Sequence, residues 1–235
     1  MKRFAMFVAV AAIVVLPGLA QADIVEVTVA GSVAFNGISD APLSTVGGGD
    51  FVVVSFKVDS DIFVDGVPGD VRGYEIDQSS FSIAFDTPLT MGLLAPFPAG
   101  ETPYFGVVDG FPVSDGFFVS TSFVSEGGVP LEQEPFNFNH SLGYVGETLD
   151  SLDILDAVGT YDFDGLTRFG LNLWAIFPDN VAMEMEFQQM TIEVVGGDGG
   201  DGGGQVPATS TGGVLVLALI ILGGSFLLRR KSETA

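Results

Sequence analysis

VAMEMEFQQMTIEV, spanning Val181–Val194, sets Met183, Met185 and Phe187 against Glu184, Glu186 and Gln188. Alternate residues of a strand point to opposite faces, so this strand carries one apolar and one acidic side. A sheet wet on one face must bury the other against a second layer, which predicts an all-β, antiparallel two-layer β-sandwich. The same period of two recurs upstream. In DFVVVSFKV, Asp50–Val58, the residues Val52, Val54, Phe56 and Val58 lie opposite Ser55 and Lys57. In DIVEVTVAGSVAF, Asp23–Phe35, Val25, Val27 and Val29 alternate with Ile24, Glu26 and Thr28.

Further short runs, RGYEI, SSFSIAF, PYFGVVD, GFFVSTSFV, FNFNHSLGY and LTRFGLNLWAIF, are separated by GVPGD, FPAGETP, VSDG, EGGVP and FPDN. These separators hold the Gly, Pro, Asp and Asn that turns require. About nine strands with long connections predict a jelly-roll or Greek-key arrangement. ETLDSLDILDAVG, Glu147–Gly159, is the one stretch that reads as either a short helix or an ordered crossover loop.

Outside this β region, 23–195, the ends read differently. Lys2 and Arg3 precede an apolar run from Phe4 to Leu16, then Pro17, then Ala20 and Ala22 around Gln21. That order is the one of a secretory signal peptide, residues 1–22, with a signal helix and cleavage after Ala22. GGDGGDGGG, 196–204, has no side chain able to fix its backbone, and 196–205 reads as a flexible linker. Residues 206–235 hold an uncharged stretch from Val214 to Leu228, followed at once by Arg229, Arg230 and Lys231. Counted from Gly212, it predicts a transmembrane helix over 212–228, with the basic end, 229–231, on the cytoplasmic side.

Charge narrows the partners. Between Asp23 and Gln205 there are 29 acidic residues against Lys57, Arg72 and Arg168, a formal charge of −26. Nucleic acid is excluded, because its binding requires Lys and Arg on the phosphates. The chain has no cysteine, so neither disulfides nor a thiol nucleophile are available.

The C-terminal tail carries a resemblance. Val206, Pro207, Ala208 and Thr209, followed by the short apolar span and the basic cluster, resemble the sorting signal of the PEP-CTERM family of bacterial exported proteins. That family's motif is Val-Pro-Glu-Pro, so the first two positions match and the next two depart. Val206–Ser210 is also similar to the Leu-Pro-x-Thr-Gly signal of sortase substrates, failing at Val206 and Ser210, and Gly212–Gly213 resembles GlyGly-CTERM signals. The resemblance implies an exosortase- or sortase-type processing enzyme as partner, transient membrane anchoring through the C-terminal helix, and release or attachment at the cell surface.

For the domain itself, calcium is the one cofactor the residues suggest. VDSDIFVDGVPGD brings Asp59, Asp61, Asp65 and Asp70 close in sequence, with Gly66 and Gly69 allowing a turn, although the spacing is not that of an EF-hand. Asp162 and Asp164 in YDFDGLT are a fragmentary second candidate. The single histidine, His140, has Ser141 and Asp150 nearby in sequence but no nucleophile elbow around it. Glu184 and Glu186 are a carboxylate pair of the kind a glycosidase needs. Tyr74, Tyr104, Tyr144, Tyr161 and Trp174 are candidate platforms for an extracellular polysaccharide, with Trp174 better placed for the core. The expected function is a non-enzymatic, exported cell-surface or matrix-associated protein. A calcium-dependent carbohydrate-binding module and a secreted hydrolase are the alternatives.

Overall fold

The computed structural model describes residues 22–67, 69–110, 114–123, 127–175 and 181–196. Twelve strands are present: β1 Ile24–Asn36, β2 Phe51–Val67, β3 Val71–Ile76, β4 Ser82–Phe85, β5 Thr90–Met91, β6 Tyr104–Val108, β7 Ser114–Ser120, β8 Val129–Pro130, β9 Asn137–Val145, β10 Gly159–Tyr161, β11 Leu166–Ala175 and β12 Val181–Val194.

All pairings between named strands are antiparallel, and eight strands follow one another around a ring, β1-β2-β3-β6-β7-β9-β11-β12. β1 pairs with β2 on one side, Val27 opposite Phe56, and with β12 on the other, Val27 opposite Ile192. The ring is therefore a closed barrel in which each strand lies beside its neighbours in sequence. This corrects the two-layer sandwich and its jelly-roll or Greek-key topology. Alternation of apolar and polar residues is common to both architectures, because each has one wet and one dry face. What separates them is whether the first and last strands meet, and local periodicity does not report that.

The helical expectations are corrected as well. Among the described residues the 3₁₀ turn Leu43–Thr45 is the single helical element, and no helix is long and apolar enough to cross a membrane. Apolar residues there are spent on alternate strand positions rather than on a continuous run. The membrane partner expected through a helix thus has no counterpart in the described chain. The leader residues 1–21 and the stretch 212–228 lie outside it.

Side chains fill the barrel. Val25, Val27, Val29, Val52, Val54, Phe56, Tyr74, Phe105, Val107, Phe138 and Leu173 are fully buried, with Phe117, Val119 and Leu142 nearly so. Phe56, Phe105 and Phe117 form a chain of ring contacts 5.4 and 5.7 Å apart. Eight strands make a barrel just wide enough for such a filling. Where the period of two fails, a bulge is the cause. Ala30 faces Gln189 but Gly31 faces Phe187, so β12 holds an extra residue at Gln188, and Phe187 and Met190 both point inward.

Both ends of the barrel are stoppered by loops tied to single polar side chains. At the end where β1 begins, the expected helix-or-loop stretch is a loop that buries Leu149, Ile154 and Ala157. The carboxylate of Asp115, 2% exposed, accepts from the backbone N–H groups of Gly110, Thr148 and Leu149. The Tyr74 hydroxyl donates to the Leu152 carbonyl at 2.8 Å and accepts from the Ile154 N–H at 2.9 Å. At the opposite end, Asn36 donates to the carbonyls of Leu43 and Val46 and accepts from the Ile38 N–H. Buried backbone groups need such partners, and one short side chain serves three of them at each end.

Outside the wall, Phe123 packs over Gly66 and Gly73, and Phe118 over Gly106, so closely that a Cβ at any of these glycines would collide with the ring.

Replacing Asp115 with Ala leaves three backbone donors without their acceptor, and the expected loss is about 2 to 4 kcal/mol in urea-induced unfolding. A loss under about 1 kcal/mol would show that water replaces the carboxylate and that the loop is not held by it.

Candidate functional site

A concavity lies on the outer wall, where two strands are interrupted side by side. Between Val58, opposite Ile76, and Phe63, opposite Tyr74, β2 advances five residues while β3 advances two, so Asp59–Ile62 bulge outward. Below this point the partner of β2 changes from β3 to β4, with Ser55 opposite Ser82. The break at Asp77–Phe81 is held by two bonds to one residue: Asp77 N–H donates to the Lys57 carbonyl, and Lys57 N–H donates to Ser80 Oγ.

Between the two bulges lies a groove of about 850 Å³. Its walls are aliphatic at Ile24, Ile62, Ile76 and Val195 and polar at Lys57, Asp59, Glu75, Asp77 and Ser79. Three carboxylates against one ammonium give it a net negative character that suits a cationic or hydroxyl-rich ligand better than an anionic one. Sequence reading passed over this groove. Lys57 and Ser55 read there as the wet face of a regular strand, and the paired interruptions that open it are set by register.

The four aspartates suggested for calcium do not act as one set. Asp59 Oδ1 accepts from the Asp61 N–H at 2.8 Å, a local turn bond. Asp65 is taken by Arg72, Nε to Oδ1 2.7 Å, and the Arg72 guanidinium lies 3.9 Å above the Phe63 ring. Asp70 sits in the hairpin turn, its N–H bonded to the Val67 carbonyl and its own carbonyl accepting from Asp109 N–H. Asp162 Oδ1 likewise accepts from the Asp164 N–H. Among the described residues no group of three or more carboxylate or imidazole side chains is arranged to hold a metal ion. A concentration of acids that the sequence did not reveal as a group occurs at the end where β1 begins. Burial raises the Asp109 carboxyl above its ordinary range, and the negative fields of Asp115, Glu147, Asp70 and Asp150 push it the same way.

His140 and Ser141 are consecutive on β9 and so point to opposite faces. His140 aligns with Phe138, Leu142 and Tyr144 in the barrel interior, fully buried, its ring stacked against Phe138 at 6.4 Å. Neither ring nitrogen has a hydrogen-bond partner. Burial pulls its pKa down to about 4, and the nearby Gly170 backbone offsets only part of that. A Ser141–His140–Asp150 relay therefore has no geometry here. Glu184 and Glu186 stand exposed on the outer wall.

The aromatic candidates are mostly structural. Tyr74 and Tyr144 are buried, and the Tyr144 and Tyr161 hydroxyls donate to the Asp162 and Ala157 carbonyls. Burial raises both phenols to about 12. Tyr104 lies under Phe123 with ring centres 5.0 Å apart. Trp174 takes the outer face of β11, opposite in parity to Leu171, Leu173 and Ala175, rather than the core, and its indole N–H is buried without a partner. The processing residues Val206, Pro207, Ala208, Thr209, Ser210, Gly212, Gly213, Arg229, Arg230 and Lys231 lie outside the described residues, as does Ala20; Ala22 immediately precedes the barrel.

Compared with protein-family models, curated proteins and solved structures, the chain matches none.

The histidine gives a pH prediction with a definite sign. Its folded pKa lies below the unfolded value near 6.5, so the folded state binds fewer protons, and stability is intact above pH 6.5 and falls as the pH drops towards 4. Between pH 7.5 and 4.5 the wild type is expected to lose about 2 to 3 kcal/mol more than His140→Leu in urea unfolding. Equal losses in the two proteins would show that the imidazole is not buried neutral.

Proposed function

We propose that this chain is a non-enzymatic exported protein whose barrel acts on the outside of the cell, at the surface or in the extracellular matrix, as a stable acidic display domain. The observation that carries the reading is the tight filling of the barrel by large side chains. That filling leaves the outer wall as the surface that meets other molecules, in a chain whose residues 23–205 carry a formal charge of −26. Among the described residues the inward Phe, Tyr and Met side chains occupy the interior, so a ligand would meet the barrel from outside.

Three further features support it. The leader pattern ends at Ala22, and the barrel begins almost at once, with Asp23 already bonded to Ser60. The tail resembles the sorting signals of exported proteins and is read here as the segment through which the chain is processed. The domain has a closed ladder and a packed core, and its sequence has no cysteine.

Intact-mass measurement and terminal peptide mapping of the protein recovered from its native cells test the reading. The expected species lies outside the cytoplasm, begins at Asp23 and ends within or before the Val206–Gly213 region. A chain that starts at Met1 and stays in the cytoplasmic fraction overturns it.

A further inference from the structure

Among the described residues the last part of β2 has a partner on one side only. β1 begins at Ile24 opposite Asp59, and the ladder continues one step further, where Ser60 N–H donates to the Asp23 carbonyl and Asp23 N–H to Ser60 Oγ. Beyond that point Phe63–Val67 pairs with β3 alone among the described residues, and Asp61 and Ile62, in the bulge, face no residue of β3. This bare edge is apolar at its centre, with Ile62 52%, Phe63 41% and Val64 47% exposed. It is also held rigid. The Phe63 ring is fixed between Tyr74, 5.7 Å away, and the Arg72 guanidinium, which is in turn bonded to Asp65.

A free strand edge with apolar side chains is a template for another strand, and proteins ordinarily blunt such edges. Here the apolar triplet is flanked by Asp61 and Asp65, and it opens onto the groove carrying Asp59, Glu75 and Asp77. Those acids choose the occupant. A second copy of this chain would bring Asp61 and Asp65 against their own kind, from a body with 29 acids and 3 bases over residues 23–205. Like charges facing each other across strands are destabilising, so self-pairing is disfavoured. A basic strand meets the complementary charge instead.

We propose that the Asp61–Val67 edge of β2, with the adjoining groove, is a docking site for an extended cationic peptide segment of another protein, which adds to the barrel wall as a strand above β1. The backbone of the partner pairs with the open edge, its apolar side chains rest on Ile62, Val64 and Ile24, and its lysines or arginines reach Asp59, Asp61, Glu75 and Asp77. The five residues Phe63–Val67 give about 17 Å of regular edge, so a partner segment of about five residues suffices. The proposal concerns the wall of the barrel and holds whether or not the protein is exported.

The test uses the full chain and two synthetic probes, one alternating lysine with valine over about seven residues and one alternating glutamate with valine. The lysine probe is expected to bind, weakening about tenfold or more between low and high salt, and to protect the amides of Ile62–Val64 from hydrogen exchange. The glutamate probe is expected not to bind. Ile62→Lys and Phe63→Pro should each weaken binding about tenfold or more, because one adds an opposing charge and the other removes an edge donor, the Phe63 N–H facing away from β3. Phe35→Lys makes the same charge change at an exposed site at the opposite end of β1 and should leave binding unaltered. Unfolding midpoints report whether each variant is folded, and if Phe63→Pro is not, Ile62→Lys decides. The proposal is overturned if the lysine probe does not bind, if both probes bind equally, if Ile62→Lys and Phe35→Lys weaken binding alike, or if protection appears away from Ile62–Val64.

Discussion

The ladder that joins Ile24–Asn36 to Val181–Val194 brings together the two ends of the domain in sequence, and every other feature of the molecule presupposes it. Once β1 is paired on both sides, the wall has no free edge along most of its length, and the inward residues of eight strands share one enclosed volume. Closure fixes how many side chains that volume must hold, and Val, Phe, Tyr, Met and Leu fill it without a lumen. The polar exceptions inside are few and differ in kind. Asp115 is buried because three backbone donors surround it, which is how a charge is tolerated away from water. His140 is buried with no such compensation and is held as the neutral ring.

A solid interior displaces chemistry to the outside, and there the interruptions matter more than the strands. The bulge at Asp59–Ile62 and the break at Asp77–Phe81 would each be a small irregularity alone. Side by side, they open a groove with an acidic rim, next to the point where the described pairing of β2 with β1 ends at Ser60 and Asp23.

Much of the wall was legible in the sequence because inward and outward residues alternate, and alternation survives whatever the sheet packs against. Val52, Val54, Phe56 and Val58 were identified as one face and are all inward. The global closure was not legible, since Glu184 and Glu186 look the same on a sandwich and on a barrel. Trp174 was misplaced because it lies between Leu173 and Ile176 in an apolar run, and only its parity with Asn172 reveals the outer face. The aspartates of Val58–Asp70 were read as one loop, whereas the chain there is a long strand and a hairpin, so residues close in sequence are spread along an edge. The groove and the bare edge had no sequence signal beyond the polar pair Asp59–Ser60 interrupting an otherwise regular strand.

The position of the two chain ends has a mechanical meaning. Val195 donates to the carbonyl of Ile24 at 2.7 Å, so the polypeptide enters and leaves the barrel side by side. Tension between those ends would peel β12 from β1 one hydrogen bond at a time, an unzipping geometry that resists little force, rather than shear the whole ladder at once. A barrel held by one end alone carries no load across that seam. The fold is therefore suited to hanging from a single tether and unsuited to serving as a link within a stretched chain.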